Sequence, residues 1–147
     1  MQRSFDSLSI PAAKEMLSAV LASGNRFRFT VHGVSMSPFI REGDTVELSP
    51  VGKLHKGRIY LAEKKGRLLL HRAVAVKGNR VLLKGDNLPE PDGWFEKEGL
   101  LAVTVAVVHR QKRQKWGIER LPKTVAELSR RNFLRKTVSF AAKFLKK

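Results

Sequence analysis

The chain has 147 residues, no cysteine and a formal net charge of +16 at pH 7. That length suits one domain with a real core, and the missing cysteine excludes a disulfide framework and thiolate metal sites. The charge is uneven: from His109 onward there are 13 Lys/Arg against 2 Asp/Glu, which suggests attachment to an anionic membrane surface, or less readily to nucleic acid, separate from any chemistry.

In chain order, the first element is a helix over Ile10–Ala22. Ser9 suits its N-cap, Pro11 its first turn, and Ser23-Gly24-Asn25 its end. Met16, Leu17, Val20 and Leu21 fall on one face, so the helix is expected to pack on the domain. From Arg26 to Val31, arginine and threonine alternate with Phe27, Phe29 and Val31, the period of a half-buried strand. A turn follows, with Gly33, Ser35, Met36 and Pro38, and then Gly43-Asp44 leads into a strand at Thr45–Leu48.

The middle of the chain reads as an antiparallel meander. Strands are expected at Gly57–Glu63, Arg67–Val76 and Arg80–Lys84, joined by turns at Lys64-Lys65-Gly66 and Lys77-Gly78-Asn79. Leu100–Val108 is apolar on both faces and reads as a central strand. Pro50–Lys56 and Asn87–Gly99 are expected to be loops. The fold class is thus mainly β, with an N-terminal helix over residues 1–25, a β domain over residues 26–110, and a basic linker and helix over residues 111–147.

Three places in this frame carry chemistry. Ser35 is a small hydroxyl on a glycine-containing bend between apolar residues, where backbone N–H groups can face an oxyanion. His71 lies inside an apolar strand and needs partners for its ring nitrogens. Asp86, in Lys84-Gly85-Asp86-Asn87, and Asp92 follow in turn-rich sequence. A histidine can take a serine proton while a carboxylate holds the ring. Each residue also has a plainer reading, as a turn serine, a hydrogen-bonded core histidine and turn-forming aspartates. Four histidines are present, none paired at metal-ligand spacing, so no metal or other cofactor is expected.

Taken together, Gly33-x-Ser35-Met36-x-Pro38, Gly43-Asp44, His71-Arg72 and Lys84-Gly85-Asp86-Asn87 with Asp92 resemble the S24/S26 peptidase superfamily. That group includes the type I signal peptidases and the LexA-like self-cleaving repressors. The match spans about Arg26 to Asp92 and is nearest to the Ser-His branch, in which histidine stands where other members use lysine. The resemblance implies an antiparallel β-rich fold and a serine endopeptidase acting on a protein or peptide precursor. It makes Ser35 the nucleophile, His71 the general base and the Ser35 N–H an oxyanion donor. Asp86 is preferred as the orienting acid, with Asp92 as the alternative.

The sequence also departs from those relatives. It shows no apolar run long enough to span a membrane and no secretory signal. The 25 residues before the first strand are too few for a helix-turn-helix domain. A cytoplasmic location, peripheral at a membrane, is the resulting expectation. Pro122 suits the start of a C-terminal helix in which Phe133, Leu134, Thr137, Val138, Ala141, Phe144 and Leu145 form a stripe, with Arg and Lys largely off it. Such a helix over residues 122–147 fits either an in-plane membrane anchor or packing on the sheet. Trp116 in the basic linker Arg110–Arg120 suits either. The competing functional class is a non-catalytic binder of the same fold, whose basic tail contacts membrane or nucleic acid.

Overall fold

The computed structural model describes residues 8–114, 118 and 122–132. Helix α1 spans Ile10–Ala22, capped by the Ser9 hydroxyl on the Ala12 N–H, with Pro11 in its first turn. Strands β1 (Phe27–Thr30), β2 (Thr45–Ser49), β3 (Ile59–Lys64), β4 (Arg67–Lys77), β5 (Arg80–Lys84), β6 (Gly93–Glu96), β7 (Leu100–His109) and β8 (Lys112–Gln114) follow, and helix α2 covers Pro122–Arg130. The strands form one eight-stranded sheet in the order β1-β2-β7-β3-β4-β5-β6, with β8 paired to β7. Every pairing is antiparallel.

The core follows from the strand alternation. Helix α1 buries Ala13, Leu17 and Leu21, one residue per turn, and Leu17 and Leu21 pack with Phe27, Leu48, Leu61 and Ala102. Met16 and Val20 border this contact and remain half-buried. A second cluster joins Val31, Met36 and Ile40 of the first turn to Val46, Ile59 and Val107. A third packs Tyr60, Ala73, Val81 and Leu83 with Leu100 and Val103. Strand β7 lies between β2 and β3, with buried side chains on both faces.

Two expectations change. The stretch Asn87–Gly99 is not all loop: it holds β6, a short edge strand on β5, and a 3-10 turn at Lys97–Gly99. The sheet also continues past residue 110, because Lys112–Gln114 folds back on β7.

Helix α2 lies against β4. Its first residue, Pro122, sits so close to Gly57 that a Cβ there would fall 2.4 Å from the Pro122 carbonyl carbon and oxygen. Gly57 also has φ of +96°, a conformation that disfavours residues with side chains. Val125, Ala126 and Ser129 are buried, and Glu127 receives Lys56 at 3.2 Å. Bonds from Lys56 and Arg131 hold the Glu127 carboxyl below its usual pKa. The described part of the C-terminal segment therefore packs its inner side on the domain. The stripe from Phe133 to Leu145, and Trp116, lie outside the described residues. Among the described residues, no helix is long and apolar enough to cross a membrane.

Candidate active site

The turn between β1 and β2 is closed at its base by two backbone bonds. Val31 N–H donates to the Asp44 carbonyl at 2.8 Å and Gly43 N–H to the Val31 carbonyl at 2.9 Å. Inside it, Phe39 and Ile40 N–H groups both reach the Met36 carbonyl at 3.1 Å. Val31, Met36 and Ile40 are buried anchors, so residues 32–35 between the first two stand outward. Val34 is 56% exposed and Ser35 half-buried. The Ser37–Pro38 peptide is cis.

His71 comes from the middle of β4 and is buried. Its Nε2 lies 3.1 Å from Ser35 Oγ, and its Nδ1 lies 2.6 Å from Asp92 Oδ2. An ionised carboxylate only accepts, so the ring proton belongs on Nδ1, and Nε2 is left to accept from the Ser35 hydroxyl. Asp92 reaches this position through its own backbone. Its N–H donates to the Leu83 carbonyl at 2.8 Å, which ties the loop after β5 back to the end of that strand. Lys64 Nζ donates to the Asp92 carbonyl.

The preference for Asp86 as the acid beside His71 is corrected here. Successive β4 side chains point to opposite faces, and Arg72 therefore turns away from His71. Its Nε and Nη2 grip the Asp86 carboxylate at 3.0 and 2.8 Å. Its Nη1 donates to the Gly57 carbonyl at 2.9 Å, and its guanidinium lies 5.3 Å from the centre of the Phe39 ring. Arg72 and Asp86 are both fully buried. Asp86 thus braces the scaffold behind the serine turn, and Asp92 is the carboxylate that meets the histidine.

The remainder of the Gly85-Asp86-Asn87 block explains how the turn is held. Asn87 N–H donates to the Ser35 carbonyl at 2.8 Å, and its side-chain amide donates to the Val34 carbonyl at 3.1 Å. Asp86 N–H points at Met36 Sδ, 3.5 Å away. Gly85 permits this approach: a Cβ there would fall 2.9 Å from the Ser35 carbonyl oxygen. Gly85 and Asn87 stand in the motif that carries the family resemblance, but sequence reasoning gives neither a role beyond turn formation. Their signal, a Gly-x-Asn run at a strand end, is indistinguishable from turn chemistry until the partner loop is known. Asp44 has a separate role. Its buried carboxylate accepts from Arg41 N–H at 2.7 Å and meets His109 Nδ1, fixing the end of the same turn.

Ser35 and His71 line one end of a cavity of about 390 Å³. Its walls are mostly apolar: Phe29, Val31, Leu61, Leu68, Leu70 and Leu88. Strand β4 pairs with β3 along Arg67–Arg72, whereas β5 pairs only with Arg72–Lys77. The other edge of residues 67–71, which line the cavity, therefore carries no strand among the described residues. Also among the described residues, no cluster of His, Cys, Asp or Glu is arranged to hold a metal.

A comparison with curated proteins gave no match. A family model described as Peptidase S24-like matches residues 3–107, a span that takes in the serine turn, His71, both aspartates and nearly all of β7. With the antiparallel β-rich fold and its flanking helices, that match places the chain in the Peptidase S24-like family.

Proposed function

We propose that the protein is a serine endopeptidase that cuts an extended segment of a protein or peptide precursor. The observation that carries this reading is the hydrogen-bonded series Asp92–His71–Ser35 at the end of an apolar cavity beside an open strand edge. Membership of a peptidase family supports it.

In this mechanism the substrate lies along the open edge of β4 as an added strand. Ser35 Oγ attacks the scissile carbonyl while His71 Nε2 takes its proton. Asp92 stabilises the imidazolium so formed and keeps the ring in the productive tautomer. The Ser35 N–H donates to no backbone carbonyl among the described residues, and it serves the developing oxyanion. His71 then gives the proton to the leaving amine. A water, deprotonated by the same nitrogen, hydrolyses the acyl-enzyme and restores Ser35.

The test is covalent labelling by a serine-directed peptide electrophile, read by intact mass. One adduct is expected on the wild-type chain and none on Ser35→Ala or His71→Ala. An adduct of undiminished yield in Ser35→Ala sinks the mechanism. A folded wild-type chain that takes no label under any condition favours a non-catalytic binder.

A further inference from the structure

Within the wall of the cavity, Arg67 is the single Lys, Arg, Asp or Glu side chain among the described residues. It is exposed, and none of the ion pairs among the described residues includes it. Arg67 stands four residues before His71 on β4, with unbroken register between them. Both therefore point to the same face, roughly 13 Å apart along the strand. The cross-strand partner of Arg67 is Lys64, whose ammonium is drawn to the Asp92 carbonyl. The acid next to Lys64, Glu63, belongs to the opposite face and is taken by Lys14 at 2.7 Å. The far end of the cavity is thus cationic, and among the described residues no acid forms an ion pair with Arg67.

We infer that Arg67 is a specificity-determining residue, selecting substrates with an acidic side chain four residues from the scissile bond. This rests on the peptidase reading above. A peptide added to the open edge of β4 advances by the same rise per residue as β4 itself. A side chain four positions from the bond at Ser35 therefore falls beside Arg67. The intervening positions meet Leu69 and the apolar wall. A guanidinium suits a carboxylate, which it meets with two parallel N–H donors.

The test uses the full chain and a randomised pool of decapeptides, with cleavage products read by mass spectrometry. Wild type is expected to enrich Asp and Glu roughly threefold to fivefold at the fourth residue on one side of the cut, as suits a solvent-exposed ion pair. Arg67→Gln should flatten that preference, and Arg67→Glu should replace it with Lys and Arg. Lys77→Glu, at the far exposed end of the same strand, should leave it unchanged, which separates a local contact from the general positive field. Cleavage that depends on Ser35 but shows no acidic preference, or a preference that survives Arg67→Glu, overturns the inference and leaves the peptidase reading intact. Absence of any Ser35-dependent cleavage removes both.

Discussion

Asp86 and Asp92 lie six positions apart and meet different side chains. Arg72 takes Asp86 inside the protein, where both are fully buried, and His71 takes Asp92 at the cavity edge. The two substitutions should therefore fail in different ways. Asp92→Asn keeps the shape but removes the charge that balances an imidazolium. On the peptidase mechanism proposed above, its acylation rate should fall on the order of 10³- to 10⁴-fold, with the thermal midpoint nearly unchanged. Asp86→Asn leaves the Arg72 charge buried and uncompensated, a cost of about 3–5 kcal/mol. That loss should appear in denaturant unfolding before it appears in rate. Exchanged outcomes would assign the two acids the other way round. The alternation of His71 and Arg72 is readable from sequence, and it turns the two side chains to opposite faces. Which acid goes to which face depends on the path of residues 87–92, and no local pattern encodes that path.

At the level of elements, the parts legible in the sequence are those whose signals are local. Helix α1 has its cap, its proline and its stop within 16 residues, Ser9 to Gly24. The β3–β4 and β4–β5 hairpins have their turns between alternating runs. Strands β6 and β8 have no such signal. Strand β6 follows two prolines and exposes Trp94 and Glu96, and β8 is wholly polar. Each becomes a strand because a neighbouring edge supplies hydrogen bonds. Helix α2 has nine residues, too few for stability alone, so it depends on its seat. Gly57→Ala puts a methyl group into Pro122 and strains a positive φ. The variant should lose at least about 1 kcal/mol and show faster amide exchange across Pro122–Arg130. Unchanged exchange there would show that Gly57 does not set the docking of α2.

At the scale of the whole molecule, single acids serve several cations among the described residues. Glu47, nearly buried on β2, accepts Arg28 at 2.7 Å and Arg26 at 3.1 Å, with Arg113 of β8 at 4.0 Å. One carboxylate thus links three strands at one end of the sheet. At the other extreme of pH, the buried phenol of Tyr60 matters. Burial raises its pKa above 10.0, opposed by the bond from His55 N–H. The unfolded chain therefore loses this proton first. The stability tied to the neutral phenol is complete below the unfolded value and disappears as pH rises through the folded one. Tyr60→Phe should accordingly lose less thermal stability than wild type as pH rises above about 10. Parallel losses in the two proteins would show that other groups govern alkaline unfolding.

Gly85 carries a consequence beyond its own loop. Any side chain there meets the Leu88 side chain at 2.8 Å and the Ser35 carbonyl oxygen at 2.9 Å. Leu88 has rotamers to retreat into; the carbonyl belongs to the backbone that bears the serine. Bulk at residue 85 therefore displaces Ser35 while hydroxyl, imidazole and carboxylate all remain chemically intact. Silencing by crowding and silencing by chemistry are separate lesions in this protein. Trimming Leu88 relieves only one of the two collisions behind the first.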